Sequence, residues 1–307
     1  LAEQARDDEA GLPALSHTYR QAAVEVGRLA DSIAAGACPG ERVVVAVANG
    51  YRSLLMCVAA SRAGCVPVPI DPEIGLSAAE HLIAGCAPAL VIRSDNDLPR
   101  RRGLPAARSA DPDDVAVLFH TSGAEPEGVG LTHRALTGMI RGVGLPRWVR
   151  SDEAVLSLPV AHAYGFVAHL GLAAVGVPAF VIPRFRPVEV LDALEQRRAS
   201  AFLGFPVMYR LLLEAGADGR DLSCVRVWVS GGDVMPAGLA RTFQQMGASF
   251  SVPFLGGFGE ALFAEARGMA DPGGAAAVKV RPPLVGRLAD VGVRLPLPGW
   301  ERARGRE

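Results

Sequence analysis

A glycine-rich segment near the middle of the chain carries residues that could bind phosphate. The run Val115 to Phe119 is apolar and predicts a buried strand, and Thr132 is placed to cap a helix at Arg134 to Ile140. Between them lie hydroxyls and glycines, at Thr121, Ser122, Gly123 and Gly128. Glycines let backbone N–H groups approach oxyanions, and a helix N-terminus adds partial positive charge. The pattern is typical of a phosphate cradle, although an ordinary strand-to-helix turn of an α/β protein can have the same composition.

A histidine later in the chain is a second candidate for chemistry. His162 lies within the segment Leu158 to Phe166, at a predicted junction between a strand and a helix. A half-exposed imidazole can adapt to a carboxylate by changing its own protonation. A histidine judged alone is more often a core residue with satisfied hydrogen bonds, and His169 is assigned that role.

Two glycine-containing turns follow predicted strands. Gly231 and Gly232 come directly after the strand predicted at Val225 to Ser230. Adjacent glycines allow a backbone to approach a flat ligand, although a tight structural turn needs them as well. The second turn combines glycines with an aromatic ring and a carboxylate, at Gly257, Phe258, Gly259 and Glu260.

The elements that must position these residues alternate between helix and strand. The run Arg42 to Ala48 is apolar and rich in valine, which is typical of a strand buried on both faces. Helical spacing precedes and follows it at Tyr19 to Ala35 and Arg52 to Ala63, and Cys65 to Ile70 predicts the next strand. Later segments continue the alternation, which predicts an α/β fold with mostly parallel sheets flanked by helices.

Composition narrows the classes of function. The 307 residues carry a net charge of −1, which does not suggest a nucleic-acid partner, and Lys279 is the single lysine. The five cysteines form no Cys-x-x-Cys pair, which favours reduced thiols in a cytoplasmic protein. The uncharged span from Ala154 to Pro183 contains prolines and histidines, which favours a buried helix and strand over a membrane helix.

The phosphate-loop segment resembles a known signature. Its order of Thr-Ser-Gly, Pro-x-Gly-Val and Thr-His between Thr121 and His133 is similar to that of the adenylate-forming, or AMP-binding, superfamily. That family includes acyl- and aryl-CoA synthetases, acyl-ACP ligases and the adenylation domains of nonribosomal peptide synthetases. Further segments resemble the family in the same order, at Gly40 to Val43, Ala63 to Pro69, Leu158 to Phe166, Ser230 to Asp233, Phe254 to Leu262 and Pro282 to Pro298.

The resemblance implies which residues contact each substrate. His162 would flank the carboxylate and Glu260 would assist Mg²⁺, so these two are the expected catalytic residues. The implied cofactors are ATP and Mg²⁺, and the implied partners are a small carboxylic acid and CoA or an acyl carrier protein, with no nucleic acid and no membrane. The residues expected to contact phosphate, adenine or the acyl pocket are Thr121, Ser122, Gly123, Gly128, Gly231, Gly232, Gly257, Phe258 and Gly259.

Two motifs are shorter than the family pattern. The phosphate loop is shorter than the family's after Gly123, and it has Glu127 where the family has lysine. The second motif is aligned with a gap after Gly259. In that alignment Glu260 matches the family's metal-binding glutamate, and the family's threonine has no counterpart. By resemblance, residues 1–307 are an incomplete N-terminal AMP-binding domain, with residues 1–281 forming interleaved α/β subdomains and residues 282–307 the start of a small β-barrel. The C-terminal lid domain is expected to be absent.

The resemblance implies attack of a carboxylate on the α-phosphate of ATP, giving acyl-AMP and pyrophosphate, followed by transfer of the acyl group to a thiol. The alternative is a degenerate relative that keeps the fold as a binding or partner module, or that performs nucleotide-independent acyl chemistry. Glu127 and the short loop favour that alternative. A dinucleotide-dependent oxidoreductase is disfavoured because no Gly-x-Gly-x-x-Gly follows the first strand.

Overall fold

A computed structural model divides the chain into two compact units. It describes residues 2–3, 15–99, 110–120, 126, 128–142, 153–247, 252–256 and 292–295. The first unit comprises Leu1–Ser16, Met139–Leu158 and Tyr164–Leu288, and the second comprises His17–Gly138, Pro159–Ala163 and Ala289–Glu307. Each unit is therefore assembled from stretches that are far apart in sequence.

Helices and strands alternate along most of the described chain. The helices are α1 (Tyr19–Ile33), α2 (Tyr51–Arg62), α3 (Leu76–Cys86), α4 (His133–Gly142), α5 (Ala163–Val175), α6 (Pro187–Gln196), α7 (Pro206–Glu214) and α8 (Ala237–Met246). The strands are β1 (Ala2–Glu3), β2 (Leu15–Ser16), β3 (Arg42–Val45), β4 (Val66–Pro69), β5 (Leu90–Ile92), β6 (Val115–His120), β7 (Gly128–Thr132), β8 (Ala154–Leu156), β9 (Ala179–Val181), β10 (Ala201–Gly204), β11 (Val227–Ser230), β12 (Val252–Gly256) and β13 (Gly292–Leu295). Within these ranges, every helix is too short or too polar to cross a bilayer.

The first unit contains a seven-stranded sheet in the order β12-β11-β10-β8-β9-β1-β2. All neighbours pair in parallel except β1 and β2, which are antiparallel. Four aromatic side chains of β10, β11, α7 and α8 pack edge to face, with ring centroids 5.1 to 6.5 Å apart. These fully buried residues, which anchor the core of this unit, are Phe202, Tyr209, Trp228 and Phe243.

The second unit contains two three-stranded sheets. One is parallel, in the order β4-β3-β5, and the other is antiparallel, in the order β13-β7-β6. Val43, Val44 and Val45 are completely buried in β3, as the valine-rich run predicted. Helix α1 begins with a capping box, in which Gln21 N donates to Thr18 Oγ1 at 3.1 Å and Thr18 N donates to Gln21 Oε1 at 2.7 Å.

The predicted fold class is confirmed, because the sheets are mostly parallel and helices separate their strands. The uncharged span also forms what was predicted, since α5 and β9 lie within it. The division at residue 281 stays a prediction, because residues 257–291 and 296–307 lie outside the described part of the chain.

Candidate active site

The candidate phosphate loop connects two antiparallel strands. β6 pairs with β7 from Val115 opposite Thr132 to His120 opposite Gly128, so the segment between His120 and Gly128 closes a hairpin. The prediction that this loop leads directly into a helix was wrong, because Gly128–Thr132 pairs as a strand before α4 begins. Thr132 does cap the helix, since its Oγ1 accepts a hydrogen bond from Ala135 N at 3.1 Å. The positive end of α4 therefore lies a full strand away from the loop.

The last residue of β6, directly before the loop, is a histidine that contacts a thiol. His120 Nε2 lies 3.5 Å from the Sγ of Cys86 at the end of α3. Burial lowers the pKa of His120 and raises the pKa of Cys86 to about 11, so both groups are neutral at neutral pH. Gly128 is buried at the start of β7. The other loop candidates, Thr121, Ser122, Gly123 and Glu127, lie outside the described residues, and their roles stay predictions.

His162 lies at the predicted junction, on a turn directly before α5. Its backbone N–H donates to Pro159 O at 3.1 Å, and Val160 N donates to Asn49 Oδ1 at 2.8 Å, which fixes the turn. The residue is exposed overall, yet desolvation by the surrounding protein lowers the pKa of its imidazole. At neutral pH the ring is therefore mostly uncharged and can donate or accept a hydrogen bond.

The carboxyl edge of the large sheet carries small residues on three neighbouring strands. Ser230 at the end of β11 lies opposite Gly204 of β10 and Gly256 of β12. Ligands of parallel sheets bind at the carboxyl ends of strands. The loop that follows β12 contains Gly257, Phe258, Gly259 and Glu260, which lie outside the described residues, so their proposed contacts with adenine and metal stay predictions.

Aromatic rings explain both glycines of the turn after β11. A Cβ atom on Gly231 would lie 2.9 Å from Cζ of Tyr164, and one on Gly232 would lie 2.7 Å from the ring of Phe205. Gly232 also has φ of +82°, a left-handed conformation that favours glycine. The sequence left two reasons for these glycines open, which were approach to a flat ligand and a tight structural turn. The packing of the two rings is sufficient to explain them by the structural turn.

Two buried tyrosines hold the end of β11. Tyr209 donates its hydroxyl to Val229 O at 2.7 Å, and the Tyr164 hydroxyl lies 3.3 Å from the same oxygen. Burial raises the pKa of both phenols, so they remain protonated donors. The edge that carries Ser230 and Gly231 is therefore rigidly positioned.

Ser230 is a candidate that the sequence analysis did not single out. It is 2% exposed, and its Oγ has no hydrogen-bond partner among the described residues. Buried hydroxyls are normally paired, so one that finds no partner in the described part of the chain, at the carboxyl end of a parallel strand, is a candidate to bond a polar group of a ligand. The sequence signal was a serine that ends a strand directly before two glycines, but its burial and the lack of a partner among the described residues are visible only in the folded chain.

The candidates fall in different units. Gly128 and His162 belong to the second unit, and Gly231 and Gly232 belong to the first. In the part of the chain that the structure describes, no cluster of three or more His, Cys, Asp or Glu side chains is placed to hold a metal ion. Glu260, the predicted magnesium ligand, and Lys279 are both outside that part.

Comparison with known proteins identifies relatives of this chain. A family model described as "AMP-binding enzyme" matches residues 2–105 and 94–292. A feruloyl-CoA synthase from Amycolatopsis is 30% identical over 262 residues, which cover 76% of this chain and 52% of that protein. The chain thus spans about half the length of this curated relative.

Solved structures share the fold. ATP-bound MatB from Rhodopseudomonas palustris has a TM-score of 0.70 at 22% identity, covering 82% of this chain and 56% of its own. A long-chain-fatty-acid-CoA ligase from Archaeoglobus fulgidus has a TM-score of 0.72 at 17% identity, covering 85% of this chain and 61% of its own. Since the family model accounts for nearly the whole chain, and the fold agrees, this chain belongs to the AMP-binding enzyme family.

Proposed function

We propose that the chain belongs to an enzyme that activates a carboxylic acid with ATP and passes the acyl group to a thiol. The observation that carries the proposal is the family match, which spans every candidate motif from the first strand–helix–strand segment to β13. Similarity to a feruloyl-CoA synthase supports an aryl or acyl acid as substrate and CoA as acceptor, with a carrier protein as the other acceptor to test. No feature of the described residues supports the degenerate alternative over this one.

The chemistry has two steps. A carboxylate oxygen attacks the α-phosphorus of ATP and pyrophosphate leaves, which gives acyl-AMP. A thiol sulfur then attacks the acyl carbonyl carbon, its proton passes to solvent and AMP leaves. Both steps require stabilisation of charge on the transferring group by fixed donors.

Different residues of this chain are proposed to bind the phosphates, the carboxylate and the metal ion. Thr121, Ser122 and Gly123, with Gly128 at the base of the hairpin, are proposed to donate to phosphate oxygens. His162 is proposed to donate to the substrate carboxylate as an uncharged imidazole, because desolvation lowers its pKa. Glu260 is the proposed ligand of Mg²⁺, which when bound neutralises charge on the phosphates.

The adenine and the acyl chain are assigned to the edge of the large sheet. Phe258, between Gly257 and Gly259, is proposed to lie on adenine. Gly231 and Gly232 are proposed to border the acyl pocket. Ser230, whose hydroxyl finds no partner among the described residues, is proposed to bond a polar group of the acid. We also infer a cytoplasmic location from the unpaired cysteines, which cell fractionation would test.

The test is exchange of labelled pyrophosphate into ATP in the presence of candidate acids, which reports the first step alone. Ferulic acid and straight-chain fatty acids form the first panel, because they match the substrates named for the relatives. At least one acid is expected to support exchange well above the acid-free rate, and His162→Ala should lower it, whereas His81→Ala, at an exposed site on α3, should not. Folded protein that shows no exchange with any acid would instead favour the degenerate alternative.

A further inference from the structure

Two cysteines of the second unit lie on turns that contact each other. Cys38 lies between α1 and β3, and Cys65 lies between α2 and β4. The Sγ of Cys65 donates to the backbone oxygen of Cys38 at 3.4 Å. The backbone of one cysteine is therefore already in contact with the thiol of the other.

Backbone hydrogen bonds hold these two turns together. Gly40 N donates to Gly64 O at 2.8 Å, and Val66 N donates to Glu41 O at 2.8 Å, so the residues on both sides of Cys65 are bonded to the turn that follows Cys38. A Cβ atom on Gly64 would lie only 3.3 Å from Cβ of Pro39. The turns cannot separate without losing these contacts, so the two cysteines stay close together.

The two thiols differ in their access to solvent. Cys38 is exposed, whereas Cys65 is 3% exposed. Burial, followed by the neighbouring Glu41 and Cys38, raises the pKa of Cys65 to about 11. An oxidant from solution therefore meets Cys38 first, and Cys65 is protected from direct attack.

We propose that Cys38 and Cys65 form a reversible disulfide when the chain meets a low-molecular-weight disulfide such as oxidised glutathione. The Cys38 thiolate attacks one sulfur of the oxidant, which releases one glutathione and leaves a mixed disulfide at Cys38. Cys65 then loses its proton to solvent and attacks the Cys38 sulfur, and the second glutathione leaves. Two protein thiols are thereby oxidised to one disulfide, and one glutathione disulfide is reduced to two thiols.

The bond would act on stability rather than on catalysis. Both turns lie at the amino ends of β3 and β4, whereas ligands of parallel strands bind at the carboxyl ends. A cross-link here would close the segment that contains β3 and α2, which restricts the unfolded chain. We expect the oxidised protein to unfold at a temperature higher by about 5 °C or more.

The test is incubation of the wild-type protein with oxidised glutathione, blocking of remaining thiols, and mass spectrometry of the peptides. A Cys38–Cys65 peptide two hydrogens lighter than its reduced parts is expected, together with the higher unfolding temperature. Cys65→Ser should stop at a stable glutathione adduct on Cys38, whereas Cys86→Ser, the matched buried control, should form the same disulfide as the wild type.

Three results would overturn the proposal. In the first, the wild-type protein retains glutathione on Cys38. In the second, Cys38 forms a disulfide with a cysteine other than Cys65. In the third, Cys38 does not react with oxidised glutathione. The wild-type measurement decides the matter even if a variant fails to fold. None of these outcomes depends on the activity proposed above, so the two proposals can fail separately.

Discussion

The hydroxyl of Ser230 is the side-chain group whose role most directly tests the proposed function. Burying a hydroxyl without a partner costs about 1 to 3 kcal/mol. Ser157 has similar burial in the same unit, but it donates to Ile182 O at 3.0 Å. Ser230 Oγ lies at the carboxyl end of β11 and finds no partner among the described residues, which makes it the better candidate of the two serines for contact with a ligand.

Replacing these two serines should have opposite effects on stability. Ser157→Ala should lower the free energy of unfolding by about 1 kcal/mol, because it removes a buried hydrogen bond. Ser230→Ala should leave stability unchanged or raise it, and should weaken binding of acids with a polar substituent. Urea denaturation and the exchange assay measure the two effects. Equal losses of stability in both variants would show that Ser230 has a partner after all.

The burial of His169 leads us to expect that the stability of the protein depends on pH. His169 is a core residue, as predicted, but only one of its two nitrogens is bonded: Nδ1 donates to Gly165 O at 2.7 Å, whereas Nε2 has no partner among the described residues. Burial lowers the pKa of the imidazole. The unfolded chain therefore takes up a proton below about pH 6.5 that the folded chain resists, so stability falls as pH falls through that range.

The test compares His169→Gln with the wild type at pH 7.5 and pH 5.5 by urea denaturation. The variant should lose less stability on acidification, by on the order of 1 kcal/mol, because glutamine does not titrate. His81→Gln, at an exposed site, is the control and should behave like the wild type. The interpretation fails if the two variants have the same pH dependence.

At the scale of elements, the turn after β11 is specified by aromatic packing. Tyr164 from α5 and Phe205 from the start of α7 fill the places where side chains of Gly231 and Gly232 would lie. Their rings pack edge to face with centroids 5.7 Å apart. These two rings therefore determine where the strand edge can turn, and a larger residue at either glycine disturbs the fold before it disturbs any ligand.

Two glycine-to-alanine variants distinguish the effect of this ring packing on stability from the effect of helix propensity. Gly231→Ala should destabilise the protein by about 1 to 3 kcal/mol, because its Cβ would meet the Tyr164 ring. Gly171→Ala, within α5 and with no heavy atom within 4 Å of the added Cβ, should stabilise it by about 0.5 to 1 kcal/mol. Thermal unfolding of both variants would check the signs, and a stabilising Gly231→Ala would refute the packing argument.

For the whole molecule, the alternation of apolar periods predicted the fold class, and it predicted the helices and strands from α1 to β6 to within a few residues. It missed β7, because Gly128 and Gly130 weaken the β pattern and only pairing with β6 makes the segment a strand. It could not show that Ser230 is buried with no partner in the described part of the chain, since that depends on side chains far apart in sequence. The order of the motifs was enough to locate the candidate residues. The packing of the Tyr164 ring against Gly231 could be recognised only in the folded structure.

The position of β13 has a consequence for how the chain is made. Its partner β7 and the adjacent β6 leave the ribosome long before Gly292–Leu295 does, so the outer edge of β7 stays open while residues 133–291 are synthesised. Closing so long a loop is entropically costly, which delays the pairing further. An open strand edge is a template for pairing with other chains. A shortened gene product that ends before Gly292 would keep that edge permanently and would be expected to aggregate.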